Sequence, residues 1–201
     1  SAIYMYHQCV KELNESEFPK TFLTVSSEEL RSAKEMLRQY GVRDRYLVAI
    51  PGAAWGRKVW SSSKYCDVID KIKAKTNIDI ILLGTGQDVI NSLISEKNKS
   101  VINLSEKTNL RQAMAILSLS ESVFGSDTGL LHIAEALGKT ANMILGPTSK
   151  ETGGGVSSKI SNNIETDIWC RPCSQNGKNL CYRSKQHCMD LISPNTVINA
   201  I

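Results

Sequence analysis

Between residues 126 and 132 the chain reads SDTGLLH, and this spacing gathers the groups that hold an anion. Asp127 is placed to cap a helix. Thr128, Gly129 and Leu130 then present amides that have no carbonyl one turn back to bond to. Thr128 and His132 stand four residues apart and so share one helix face. A hydroxyl, open amides and an imidazole converge on one point. A single His on a first helical turn is by default a satisfied surface group, but the face shared with Thr128 favours a site.

Four further segments have the same character: PGAAWGRK (51–58), GTGQD (84–88), SEKTN (105–109) and GPTSKETGGG (146–155). Small and polar residues dominate each. Glycine permits close backbone approach, and a helix start offers unpaired amides. Any one such loop serves equally well to start a helix. Five in register predict a phosphate-bearing ligand, a nucleotide in particular.

The elements between these loops alternate with a regular beat. Residues 46–50 (YLVAI) read as a strand, followed by a helix over 63–75 with Val68, Ile69 and Ile72 on one face. Strands are expected at 78–83, 101–104, 122–125 and 142–145. The intervening helices carry Val89, Ile90, Leu93 and Ile94; then Leu110, Ala113, Met114 and Leu117; then 128–137, closed by Gly138. Five strands joined by helical crossovers imply a Rossmann-like, doubly wound parallel α/β sheet, whose ligands bind outside the carboxyl ends of the strands. Spacing alone does not give the strand order.

The flanks differ from this core. Residues 1–41 read as a connector with leading helices: a short helical piece over 6–13, a Pro-containing stretch, then a helix opened by a Ser26–Glu29 capping box and stopped by Gly41. Residues 42–201 form the α/β domain, with a cysteine-bearing appendage over 146–192. After Pro147 the periodicity fades, and 149–163 reads as a long loop. Ser193 and Pro194 start a last helix.

Composition narrows the options further. With 201 residues, 41% hydrophobic and 22% charged, the chain is an ordinary folded protein rather than a disordered one. The longest aliphatic run is Ile80 to Leu83, far short of a membrane span. A net charge of +4 suits an anionic substrate or an acidic membrane surface, without the dense basic stripe of a nucleic-acid binder. The start, SAIYMYHQCV, has neither an initiator Met nor the pattern of a signal peptide, so an excised, intracellular piece is expected. Cys9 and Cys66 read as ordinary buried thiols. Cys170, Cys173, Cys181 and Cys188 cluster as C-x2-C-x7-C-x6-C, in which C-R-P-C has metal or redox spacing while the second pair is too widely spread for a zinc knuckle. Zinc, a disulfide and a reduced cluster all remain open.

Four segments, in order, resemble glycosyltransferase family 9, the ADP-heptose:lipopolysaccharide heptosyltransferases. SDTGLLHIAEALGK resembles the family's D-T-G-x-x-H-x-A-x-A-L-G signature, PGAAWGRKVW its P-G-A-x-x-G-x-x-K-x-W segment, and ILGPT its F-G-P-T turn. The stretch from WCRPC to CMDLISPNTV is similar to the end of the heptosyltransferase II-like branch. The resemblance spans roughly 45–201. It implies the C-terminal, donor-binding half of a GT-B enzyme, with the catalytic base and the main acceptor contacts in an N-terminal half.

Carried over by motif position, Lys58 is the catalytic cation that faces the donor pyrophosphate. Ala53 and Ala54 stand where relatives place threonines, so only their amides are available. Asp88 falls at the position that binds a ribose hydroxyl, and Thr108 lines the base or ribose. Asp127, Thr128, Gly129 and His132 match the phosphate and sugar contacts. Trp60 is followed by Ser61 where Pro is frequent, and Trp55 is expected either under the cleft or in the core. The implied partners are an ADP-activated sugar and a lipopolysaccharide core acceptor. No cofactor, metal or nucleic acid is expected. A cytoplasmic location is implied, with peripheral contact at the inner membrane left open. Two rivals stand beside this reading: a sugar-nucleotide epimerase-type GT-B domain, and a non-catalytic zinc or nucleic-acid module built on the four cysteines, with Lys178, Arg183 and Lys185 around it.

Overall fold

The computed structural model describes residues 21–201. The helix expected over 6–13, and Cys9 within it, lie outside the described residues.

Helix α1 (Ser27–Gln39) opens with the anticipated capping box: the Glu29 amide donates to Ser26 Oγ at 3.2 Å, and the Ser26 amide to Glu29 Oε2 at 2.7 Å. Gly41, at φ 73°, turns the chain away from it. Then β1 (Tyr46–Ile50), α2 (Ser62–Lys75), β2 (Asp79–Leu82), α3 (Val89–Lys97), β3 (Val101–Asn103), α4 (Leu110–Leu119), β4 (Val123–Ser126), α5 (Gly129–Ala136) and β5 (Ala141–Ile144) follow the expected alternation. Helix α1 is more than a connector, because Ala33 and Leu37 are buried in the core and the helix packs on α4.

All strand pairs are parallel, in the order β3-β2-β1-β4-β5, with one further strand beyond β5. The chain winds outward from β1 to β3 and then returns to lay β4 against β1. The crevice of a doubly wound sheet opens at such a reversal, outside the carboxyl ends of the strands. The loops that leave β1 and β4 therefore face each other. Strand β1 is buried along its whole length, as a strand covered on both faces must be. Val48 and Ile50 join the layer under α1, α4 and α5, whereas Leu47 and Ala49 join the layer under α2 and α3.

The sixth strand, β6 (Asn162–Ile164), falls in the stretch expected to be loop. It pairs parallel to β5 although Asn disfavours strands, because its amide side chains are used as fasteners. Asn162 Nδ2 donates to Asn142 Oδ1 at 2.7 Å, and Asn163 Nδ2 donates to Val156 O at 2.9 Å. Two short helices close the chain, α6 (His187–Asp190) and α7 (Pro194–Ala200), the latter capped by Ser193 as expected.

At the reversal, Gly125 of β4 packs so closely on β1 that a Cβ there would lie 2.1 Å from the Ile50 carbonyl oxygen. The obstacle is backbone and cannot rotate away. Gly125→Ala is expected to cost about 1–3 kcal/mol, by the usual penalty for forced overpacking. Urea unfolding should show a lower midpoint at unchanged slope; an unchanged midpoint would refute the close approach.

Candidate functional site

Strand β1 ends in a loop whose 3-10 turn, Gly56–Lys58, presents Lys58. Strand β4 ends at Ser126, whose hydroxyl donates to Pro51 O at 2.7 Å and ties the two exits together. The next residue, Asp127, is buried, with its side chain 5% exposed. Lys58 Nζ lies 3.0 Å from Asp127 Oδ2, and Thr148 Oγ1 donates to the same oxygen at 2.7 Å. His132 Nε2 stands 3.7 Å from Oδ1, on the far side of the carboxylate from Lys58 and Thr148. Burial pushes the Asp127 carboxyl up. His132, the charge on Lys58 and the Thr148 hydroxyl outweigh it and hold the group at about 2.

This geometry corrects one expectation. Asp127 does not cap α5. Thr128 takes the N-cap position, with φ −148° and ψ 159°, and makes no side-chain capping bond. A lysine and a buried hydroxyl compete for the carboxylate more strongly than an amide does. The first turn of α5 thus keeps its N-terminus without a side-chain cap, at the carboxyl end of β4. Gly129 is exposed there, and a Cβ on it would meet nothing. His132, on the next turn, is 40% exposed.

Other loops close around this point. Gly154, in the Gly-rich segment, lies against the pair: a Cβ there would be 3.1 Å from Asp127 Oδ2 and 3.2 Å from Thr148 Cβ. Asp88 is half-buried and accepts from the Thr85 amide at 2.7 Å and the Thr85 hydroxyl at 3.1 Å. It also fills the space over Gly52, joining the loops after β1 and β2. Ala53 is half-buried and Ala54 exposed on the β1 loop; Thr108 is half-buried just before the Asn109 cap of α4. Trp55 is 39% exposed with Lys178 Nζ 5.6 Å above its ring, so it belongs to the surface rather than the core. Trp60 is the buried member, donating to Met189 O at 3.2 Å.

Sequence reasoning missed Thr148 as a site residue. Its signal was present in the G-P-T turn, but the partner Asp127 is 21 residues away. Ser149 Oγ, next along that loop, and Asn91 Oδ1 are buried side-chain atoms without a hydrogen-bond partner among the described residues. A groove of about 680 Å³ opens at the other end of the sheet, beside Arg43, Arg45 and Ile201. Two of the cations lining it are paired with carboxylates, Arg43 with Asp79 and Arg45 with Glu121, and a third, Lys71, donates to Asn195 Oδ1 at 2.8 Å. The five described cysteines are free thiols, and among the described residues no group of three or more His, Cys, Asp and Glu is placed to hold a metal ion. No helix among them is long and apolar enough to cross a membrane.

Comparison with known proteins bears on the same region. The family model described as glycosyltransferase family 9 (heptosyltransferase) matches residues 2–182. Lipooligosaccharide heptosyltransferase 2 of Haemophilus influenzae is 27% identical over 152 residues, 71% of this chain and 44% of that protein. The glycosyl transferase family 9 structure from Veillonella parvula superposes with a TM-score of 0.79 at 17% identity, covering 98% of this chain and 57% of that one. The E. coli ADP-heptose LPS heptosyltransferase II structure gives 0.73 at 19% identity, covering 94% and 54%. These two likenesses show a shared GT-B-type α/β fold. The chain spans less than half the length of the curated relatives it matches.

Proposed function

The chain belongs to glycosyltransferase family 9, and from that premise we propose that it is the donor-binding domain of an inverting heptosyltransferase-type enzyme. The donor is an ADP-activated heptose and the acceptor a lipopolysaccharide core, bound mainly by another domain. The E. coli neighbour, whose name includes ADP-heptose and LPS, supports the pairing. The observation that carries the reading is the pairing of Lys58 with Asp127, the residue that precedes the Thr128 N-cap of α5, at the β1/β4 reversal. A diphosphate set there would receive an ammonium from one side and amides of Gly129 and Leu130 from the other.

In this mechanism an acceptor hydroxyl attacks the anomeric carbon from the face opposite the diphosphate. The bond from that carbon to the β-phosphate oxygen breaks, and its electron pair leaves with ADP. A base removes the hydroxyl proton; no residue of this chain is assigned to it, so the domain alone does not complete transfer. Lys58 and the α5 amides stabilise the charge growing on the leaving diphosphate, the step in which a fixed cation contributes most. Asp88 and Thr108 belong with the ribose and base, Ala53 and Ala54 offer backbone amides, and Thr128 and His132 face the phosphate and sugar. Asp127 acts from behind by holding Lys58. On this reading the enzyme works in the cytoplasm.

Titration calorimetry of the chain with ADP and with UDP tests the reading. Weak but specific ADP binding is expected. No ADP binding would refute it, and a preference for UDP would refute it in favour of the epimerase-type alternative.

A further inference from the structure

The C-R-P-C run contributes its arginine to the fold more visibly than its thiols. The Arg171 side chain is 8% exposed. Its Nε donates to Gly146 O at 2.5 Å and its Nη2 to Thr148 O at 3.0 Å. Nη1 donates to Thr166 O at 2.9 Å, and Nη2 also meets Glu165 Oε2 at 2.7 Å. The carbonyl between the first two, Pro147 O, accepts from the Cys173 and Ser174 amides at 3.1 and 3.2 Å. Three consecutive carbonyls of the turn after β5 are therefore all taken by residues 171–174. That turn carries Thr148, whose hydroxyl holds Asp127, which holds Lys58. The same appendage reaches Lys58 from the other side. A Cβ on Gly177 would lie 2.5 Å from Lys58 Cγ, and Gln186 Nε2 donates to Arg57 O at 2.5 Å.

The geometry points to Arg171 as a positioning residue for the donor site: its fork fixes the Gly146–Pro147–Thr148 turn and, through Thr148 and Asp127, sets where the Lys58 ammonium stands. This rests on the cleft being a nucleoside diphosphate site. The guanidinium is suited to the task because its rigid, planar donors reach two carbonyls of one turn at once. A lysine in its place keeps the charge and most of the stem but reaches only one. The appendage is thereby part of the donor site's frame.

The test uses the 201-residue chain and ADP as probe. Arg171→Lys is expected to weaken ADP binding about tenfold, the loss expected from one charge-assisted hydrogen bond. Thr148→Val should weaken it to a similar degree, and the double variant should be within about threefold of either single one, as residues in series are not additive. A second readout does not depend on ADP. The Asp127 carboxyl carbon, followed by NMR, should titrate at a higher pH in Arg171→Lys, because the carboxylate faces Lys58, His132 and Thr148 less closely once the turn loosens. Glu165→Ala removes the exposed partner of the fork without touching the core, and should shift both readouts in the same direction by a smaller amount, even if Arg171→Lys fails to fold. Wild-type ADP affinity and an unmoved Asp127 titration in these variants would overturn the inference, as would additive losses in the double variant. Failure of the wild type to bind ADP would refute the functional reading alone, while the Asp127 titration would still decide the role of Arg171.

Discussion

Lys58→Ala is expected to lower turnover ~100–1,000-fold in an enzyme that joins this domain to an acceptor-binding half, corresponding to about 2.7–4 kcal/mol of lost transition-state stabilisation. The donor diphosphate is charged before reaction, so Lys58 helps binding as well. Its larger effect comes as the glycosidic bond to phosphate breaks and negative charge gathers on the leaving oxygen. The ammonium is already fixed by Asp127 and only 13% exposed, so it need not be desolvated or reoriented during the step. The α5 amides at Gly129 and Leu130 remain in the variant, and ADP should still bind with reduced strength. On the proposed reading the same two partners would neutralise the leaving group without a divalent ion, so the wild type should keep its activity in excess chelator. Steady-state kinetics decide the first point. Unchanged kcat with only a raised donor KM would make Lys58 a ground-state anchor. Loss of wild-type activity on chelation would show that a metal does the work assigned to the lysine.

How much of this could be read from the sequence depends on the range of the interactions involved. Strands β1 and β2 were legible because unbroken aliphatic runs such as YLVAI mark strands covered on both faces. Capping boxes and helix stops are local, so α1 could be placed from Ser26, Glu29 and Gly41 alone. Strand order is not local. Nothing near Val123 states that β4 returns to β1 rather than extending the sheet past β3; helix packing on the two faces decides that. Strand β6 was hidden because its asparagines carry no strand signal, and their use as fasteners is visible only beside Asn142 and Val156. The site shows the same division. Lys58 and the 126–132 loop were legible by motif, but Asp127 was read as a helix cap because its lysine partner is 69 residues away. Arg171 gave no signal at all, since its acceptors are backbone carbonyls, which no residue type announces.

Asp127→Asn is expected to destabilise the chain by about 3 kcal/mol at neutral pH, at the low end of the roughly 3–5 kcal/mol cost of breaking a buried ion pair. The low end applies because the Lys58 side chain keeps a little water access from the cleft. The Asn amide is close in size, and its carbonyl oxygen can still accept from Thr148, so packing changes little and the lost charge dominates. The sign of the pH dependence follows from the direction of the Asp127 shift, from 3.8 down to about 2. A carboxyl depressed in the folded state stabilises the fold fully above its unfolded pKa, and that stability is lost as pH falls through the folded value. The gap between wild type and Asp127→Asn should therefore be complete above about pH 5 and narrow by roughly 2 kcal/mol toward pH 2. Asp79, depressed to about 2 by Arg43, loses its own contribution over the same range. Because it is present in both proteins, it cancels in the difference. Denaturant unfolding of both proteins at several pH values measures that difference directly. A gap that stays constant down to pH 2 would mean that Asp127 is not held ionised by its partners, and that Lys58 stands at the cleft without the tether that makes it a fixed cation.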